Sequence, residues 1–182
     1  MIVLIIGVPD SGKSNKAEEI VTSFSVSGSR YYIATMIPFG EEGKARVEKH
    51  RKARQNKGFT TVESPVDIAS LTQTLPDLSQ SVCLIECISN LVGNEMHRSD
   101  QIVSDAKEKD ITEKIVSEVL TLAKSAKHTV IVSNEFPPTD PAYDDDTIGY
   151  VWLLSKVNAR LTKEADRLFT LQEGEWIEHE DH

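Results

Sequence analysis

A glycine-rich loop near the start of the chain has the residue types and spacing of a phosphate-binding site. Directly after a short apolar run, it consists of Gly7, Val8, Pro9, Asp10, Ser11, Gly12, Lys13 and Ser14. In this G-x-x-x-x-G-K-[ST] pattern, the two glycines allow the backbone to turn so that successive N–H groups face phosphate oxygens. The N-terminus of a following helix adds partial positive charge. Lys13 can reach the β- and γ-phosphates, and the Ser14 hydroxyl can hold Mg²⁺. The loop therefore predicts a nucleotide-phosphate site.

Polar residues also end two other apolar runs. Glu86 follows the run 82–85, and proteins with such loops place a carboxylate at a strand end to handle Mg²⁺ or a substrate hydroxyl. The alternative is a strand-end glutamate in water or paired with a nearby cation. Asn134 and Glu135 follow the run 129–132 in a similar way. They could line the same site or only cap a turn.

A basic segment stands out against the acidic balance of the chain. Residues 44–57 hold seven of the 20 Lys and Arg and one acid, Glu48, although the formal net charge is −9. A helix here would place four side chains on one face, those of Arg46, His50, Arg54 and Lys57.

The basic surroundings of His50 suggest a nucleophile. Neighbouring cations disfavour a further positive charge on the ring, so the neutral imidazole is favoured. A neutral imidazole can attack phosphorus while the cations hold the polyphosphate. The alternative is a solvated basic helix with an incidental histidine.

Two stretches are expected to be irregular. Residues 88–105 are polar and without clear periodicity. Residues 135–147 contain three prolines followed by Asp144, Asp145 and Asp146. Those three acids could attract Mg²⁺, or they could be exposed loop residues without a ligand.

Composition limits the class of protein. A length of 182 residues suits one well-packed domain, so residues 1–182 are expected to form a single P-loop nucleotide-binding domain. A hydrophobic content of 39% and a charged content of 27% are typical of globular proteins. The acidic balance argues against general nucleic-acid binding. No segment is predicted to span a membrane or to act as a signal peptide, and Cys83 and Cys87 are expected to be buried thiols. We expect a cytoplasmic protein.

Apolar runs alternate with helical periodicity along the chain. Strands are predicted at 1–6, 31–34, 59–62, 82–86 and 129–132, and a closing hairpin at 167–171 and 175–177. Amphipathic helices are predicted after the glycine-rich loop, between the last two of these strands, and before the hairpin. The pattern predicts an α/β fold of the P-loop NTPase type, with a mostly parallel sheet, helices on both faces and a C-terminal antiparallel hairpin.

Taken together, these residues resemble the bifunctional adenosylcobinamide kinase/adenosylcobinamide-phosphate guanylyltransferases of cobalamin biosynthesis. The resemblance covers most of the chain in order. It is carried by GVPDSGKS at 7–14, YIAT at 32–35, ARVEKHRKAR at 45–54, TVESP at 61–65, LIECISN at 84–90, SNE at 133–135 and KVNARLTKEADRLF at 156–169.

The resemblance implies two reactions and their residues. A nucleoside triphosphate, GTP or ATP with Mg²⁺, phosphorylates the aminopropanol hydroxyl of adenosylcobinamide, and Lys13 serves this transfer. GTP then donates GMP to the new phosphate through a guanylylated histidine. That histidine lies in an R-x-x-x-H segment, which here runs from Arg46 to His50. Glu86 is expected near the ribose or the metal. Family members are homotrimers with sites between subunits, and their acceptor is a corrinoid.

One segment departs from the family pattern. Residues 136–141 read FPPTDP where the family has a glycine-rich segment. Two alternatives therefore stay open: a nucleotide-binding regulatory protein that has lost catalysis, and an enzyme that retains only one of the two half-reactions.

Overall fold

The computed structural model describes residues 1–38, 40, 41, 43, 45, 47, 48, 52, 57–98 and 105–179. These residues form a seven-stranded sheet. Its strands are β1 (Ile2–Gly7), β2 (Arg30–Ala34), β3 (Phe59–Glu63), β4 (Val82–Glu86), β5 (His128–Asn134), β6 (Arg167–Gln172) and β7 (Glu175–His179). The helices whose bounds lie within these residues are α1 (Lys13–Ser23), α2 (Leu71–Thr74), α3 (Ile88–Met96), α4 (Asp105–Ser125) and α5 (Asp145–Thr162), with short 3-10 helices at Ile68–Ser70 and Leu78–Gln80.

The strands lie in the order β3-β2-β4-β5-β1-β6-β7. All neighbouring pairs are parallel except β6 and β7, which form the antiparallel hairpin. The predicted α/β class, the mostly parallel sheet and the closing hairpin are therefore confirmed. Because the central strands are covered on both faces, their sequences are continuous apolar runs and not alternating ones.

The two faces of the sheet pack against different helices. On β1, Val3 and Ile5 belong to a core cluster with Ala17 of α1. The next residues along, Leu4 and Ile6, belong to a larger cluster on the opposite face. That larger cluster contains the apolar sides of α3, α4 and α5, so helices cover both faces as the sequence predicted.

The prediction that residues 88–105 are irregular is wrong for the first half of this stretch, which forms α3. The apolar side chains of this helix recur at helical spacing and are all buried: Ile88, Leu91, Val92 and Met96. Polar residues between them hide the pattern in the sequence, and one of these, Asn94, donates hydrogen bonds to the carbonyls of Thr35 and Pro65.

The predicted loop 135–147 ends earlier than expected. Asp144 is the N-cap of α5, and its side chain accepts a hydrogen bond from the backbone N–H of Thr147 at 2.8 Å. Asp145 and Asp146 lie in the first turn, where negative charge stabilises a helix. The acidic run is therefore accounted for by helix capping. Near the C-terminus, His179 belongs to β7, and its Nε2 lies 2.7 Å from the Thr170 hydroxyl.

A buried carboxylate ties α3 to α4. Glu95 is only 3% exposed, and its carboxylate accepts hydrogen bonds from Lys114 and Arg98. Asp67 and Glu118 also pair with Lys114, each at 2.9 Å. Burial opposes the charge of Lys114, but its hydrogen bonds to these three acids outweigh that effect and raise its pKa. The Lys114 ammonium group and the Arg98 guanidinium group thus balance the charge of this acidic cluster.

We expect Lys114→Met to lower the free energy of unfolding by about 2 kcal/mol, because Glu95 would remain buried without its closest partner. Lys124→Met is a matched control, since Lys124 is on the same helix and pairs with Glu164 in an exposed position. It should cost no more than about 0.5 kcal/mol. Urea denaturation measures both values. Equal losses in the two variants would contradict this account of the cluster.

Candidate nucleotide-binding site

A cleft of about 600 Å³ opens at the carboxyl edge of the sheet. Parallel α/β sheets place their ligands at this edge. The glycine-rich loop and the start of α1 form one wall, and the ends of β2, β4 and β5 form the floor. Within the described part of the chain, the lining contributed by the loop and these strand ends is Pro9, Asp10, Ser11, Gly12, Lys13, Ser14, Ala34, Glu86, Val132 and Asn134.

The loop has the backbone conformation that its glycines predict. Gly12 has φ of +84°, and a Cβ added there would meet nothing within 4 Å, so glycine is favoured by conformation and not by space. Gly7 is restricted differently. A Cβ on Gly7 would lie 3.1 Å from Ser11 Oγ and 3.5 Å from the ring of Trp176. The β7 tryptophan therefore packs against the start of the loop.

Lys13 is held inside the loop. It is 7% exposed, and its Nζ donates hydrogen bonds to the carbonyl of Val8 at 2.5 Å and to Ser11 Oγ at 3.3 Å. Burial lowers the pKa of the Lys13 ammonium, and the nearby Cys87, Glu86, Asp10 and Glu135 only partly oppose that effect. A polyphosphate in the cleft would supply the negative charge that favours the protonated lysine.

Ser14 and Glu86 form a pair across the floor of the cleft. The Ser14 hydroxyl donates a hydrogen bond to Glu86 Oε1. The second carboxylate oxygen, Oε2, is buried and has no hydrogen-bond partner among the described residues. A hydroxyl and a carboxylate with an unsatisfied oxygen suit Mg²⁺, which takes oxygen ligands and is usually bound by one or two carboxylates together with substrate phosphates. These two residues therefore fit the predicted metal site.

Hydrogen bonds at the ends of β2 and β4 position Glu86. Thr35 Oγ1 accepts from the Cys87 N–H at 2.6 Å and donates to the Cys87 carbonyl at 2.8 Å. The Thr35 N–H also donates to the Glu86 carbonyl at 3.1 Å. Cys83 is buried as expected, but Cys87 is only partly buried by its neighbours and lines the cleft. Burial raises the pKa of its thiol.

At the end of the cleft toward β3, Lys57 and Glu18 line the cleft and form an ion pair. Glu18 on α1 is 7% exposed. Lys57 lies in a turn just before β3, so the predicted helical face does not extend to this residue. The partly exposed Thr61 and the exposed Glu63 on β3 line the same end.

The remaining predicted site residues fall in different places. Arg46, His50 and Arg54 lie outside the described residues. Glu135 does not line the cleft, although its N–H donates to the Gly7 carbonyl at 3.1 Å. Asp146 is also outside the lining and lies 3.4 Å from His97, so the acidic run is not part of this cleft.

The chain matches one protein family and is similar to solved structures. The family model described as cobinamide kinase / cobinamide phosphate guanyltransferase matches residues 3–178. Among solved structures, the ATPase domain of G40P is similar with a TM-score of 0.51 and 10% identity, covering 94% of this chain and 69% of that one. The flagellar accessory protein FlaH from Methanocaldococcus jannaschii has a TM-score of 0.46 and 14% identity, covering 97% and 75%. No curated protein sequence matches the chain.

The likeness to the G40P domain is one of fold alone. It agrees with the P-loop architecture derived above. Within the described residues, no helix combines the length and apolar character that crossing a membrane requires.

The contact between Trp176 and the loop provides an optical test of nucleotide binding. The chain has two tryptophans, Trp152 and Trp176, so Trp152→Phe leaves only the one beside Gly7. We expect GTP with Mg²⁺ to change the fluorescence of Trp152→Phe, because phosphate bound at the loop changes the electrostatic surroundings of the Trp176 ring beside Gly7. In Trp176→Phe, the remaining exposed Trp152 should not respond. A response that follows Trp152 instead would contradict binding at this loop.

Proposed function

The chain belongs to the cobinamide kinase / cobinamide phosphate guanyltransferase family, and on this premise we propose that it carries out both reactions on adenosylcobinamide. The family places it among nucleotide-dependent transferases of cobalamin biosynthesis. The observation that carries the proposal is the family match over residues 3–178, together with a cleft that joins the phosphate loop to Glu86. We further propose that residues 1–182 act as one nucleotide-binding domain in the cytoplasm and assemble as a trimer.

The first reaction is phosphoryl transfer to a corrinoid hydroxyl. The acceptor oxygen bonds to the γ-phosphorus as the bond to the bridging oxygen breaks, and the nucleoside diphosphate leaves. The N–H groups of residues 7–12 and the Lys13 ammonium bind the phosphate oxygens. Ser14 and Glu86 would hold Mg²⁺, which when bound neutralises charge on the β- and γ-phosphates. The buried, unpartnered Glu86 Oε2 supports this role.

The second reaction is guanylyl transfer through His50. An imidazole nitrogen bonds to the α-phosphorus of GTP, and the bond from that phosphorus to pyrophosphate breaks. A phosphate oxygen of adenosylcobinamide phosphate then bonds to the same phosphorus, and the nitrogen–phosphorus bond breaks. Arg46 and Arg54 bind the polyphosphate. The basic composition of residues 44–57 supports this role, because cations stabilise the charge that develops on the leaving pyrophosphate.

For Glu86 we propose an alternative role in this cleft. Instead of holding the metal, its carboxylate would accept a hydrogen bond from a ribose hydroxyl of GTP. The nucleoside would then extend toward the end of the cleft lined by Tyr32, Thr61 and Lys57. The strand order supports this direction, because β2 and β3 lie on the far side of β4 and β5 from β1, which delivers the loop.

Turnover of adenosylcobinamide tests the proposal directly. With GTP and Mg²⁺, the protein should yield first the phosphate and then the GDP-linked corrinoid, resolved by chromatography. Lys13→Ala should lower phosphorylation by at least about 100-fold, because it removes the cation that stabilises the transferred group. Nucleotide binding without corrinoid turnover would identify a regulatory protein, and a single product would identify an enzyme with one half-reaction.

Covalent labelling tests the histidine. Incubation with α-labelled GTP and Mg²⁺ should label the protein through a bond that is labile in acid and stable in base, as expected for a phosphorus–nitrogen linkage. His50→Ala should lose the label completely. His97→Ala is the matched control and should retain it, because His97 lies beside Asp146 and outside the cleft lining. A label that persists in His50→Ala would exclude this nucleophile.

A further inference from the structure

Asn134 occupies a distinctive position at the floor of the cleft. It ends β5, the strand between β1, which delivers the phosphate loop, and β4, which delivers Glu86. In the sheet register, Asn134 is paired with Gly7, while Glu86 is paired with Val132. β5 therefore extends two residues beyond the level of Glu86, and its last side chain lines the cleft between the loop and the carboxylate.

The Asn134 side chain is held by buried polar groups. Its Nδ2 donates a hydrogen bond to Ser89 Oγ at 2.8 Å. Its backbone carbonyl accepts from Asn158 Nδ2 at 2.9 Å, and Asn158 Oδ1 accepts from Ser133 at 2.6 Å. Ser89 is 4% exposed and Asn158 is 8% exposed. These contacts fix the orientation of the amide before any ligand binds.

The amide oxygen is the acceptor that the Asn134 side chain offers to a ligand. Among the described residues, Oδ1 has no hydrogen-bond donor, and the bond from one N–H of Nδ2 to Ser89 fixes the direction in which Oδ1 points. An amide oxygen only accepts hydrogen bonds, so a phosphate oxygen is a poor partner for it. A hydroxyl is a good partner. The position also suits a hydroxyl. A terminal phosphoryl group bound by Lys13 and by the Ser14–Glu86 pair would lie close to Asn134, because β5 ends between the strand that delivers the loop and the strand that delivers Glu86.

We infer that Asn134 is a catalytic residue of the phosphoryl transfer, which orients the attacking hydroxyl through its amide oxygen. This inference rests on the proposed function. The hydroxyl oxygen bonds to the γ-phosphorus, the bond from that phosphorus to the bridging oxygen breaks, and the nucleoside diphosphate leaves. The amide takes no proton, so the hydroxyl proton passes to a non-bridging oxygen of the transferred phosphoryl group. Ser89 is a positioning residue that acts through Asn134.

The test separates attack on phosphorus from nucleotide binding. Asn134→Ala should lower kcat for adenosylcobinamide phosphorylation by about 100-fold, because orientation of the reacting groups is lost. Its Kd for GTP and its labelling by α-labelled GTP should stay within about twofold of wild type. Ser89→Ala should lower kcat by about tenfold. The double variant Asn134→Ala/Ser89→Ala should be no slower than Asn134→Ala, because Ser89 acts only through the amide.

The control is Gln80→Ala, which removes an exposed amide at the opposite edge of the sheet and should retain full kcat. If the wild-type protein does not phosphorylate the corrinoid, the proposed function is refuted, but the role of Asn134 can still be tested. The assay is then basal GTP hydrolysis, in which water is the attacking group. There too, Asn134→Ala should lower kcat without a change in Kd. Unchanged kcat in Asn134→Ala, or a loss of GTP affinity equal to the loss of kcat, would overturn the inference. Asn134→Ser, checked by circular dichroism, replaces the alanine variant if that one does not fold.

Discussion

The insertion of β5 between β1 and β4 is the constraint on which the site depends. Neighbouring strands lie about 4.8 Å apart, so the strand that carries the phosphate loop and the strand that carries Glu86 are separated by about 10 Å. The ends of these two strands are therefore too far apart for direct contact, and the end of β5 lies between them. α1 returns across it, and its Ser14 reaches Glu86. A different strand order would separate these two residues.

Packing behind the cleft keeps this arrangement fixed. α3 starts two residues after Glu86, and its position is set by the apolar side chains that it buries and by Glu95, which Lys114 and Arg98 hold from two sides. Thr35 links the end of β2 to the backbone around Cys87. The strand ends that carry the polar groups of the cleft are therefore held in place by the helices packed behind them.

The sequence predicted the parts of this molecule that rest on local pattern. The motif at 7–14 predicted a strand, a turn and a helix, and the apolar runs predicted the parallel sheet, because both signals lie within a few residues. α3 was missed because its polar residues interrupt a short apolar face. The sequence pattern predicts a loop at Asp144, because it does not distinguish a helix N-cap from an acidic loop residue. Only the hydrogen bond from the Thr147 N–H identifies the cap. The pairing of Lys57 with Glu18 joins residues 39 positions apart and has no local signal.

The contact of Lys13 with the Val8 carbonyl also bears on how tightly the loop can bind. A lysine side chain loses roughly 1.5–2 kcal/mol of rotamer freedom when it is fixed. Here that loss occurs as the protein folds, since the ammonium is already confined within the loop. A polyphosphate that binds here contacts a preorganised Lys13 ammonium group. Its charged oxygen replaces the neutral carbonyl of Val8 as the hydrogen-bond acceptor. Neutral ligands offer no such exchange, so the loop selects for anions before any part of the nucleoside is recognised.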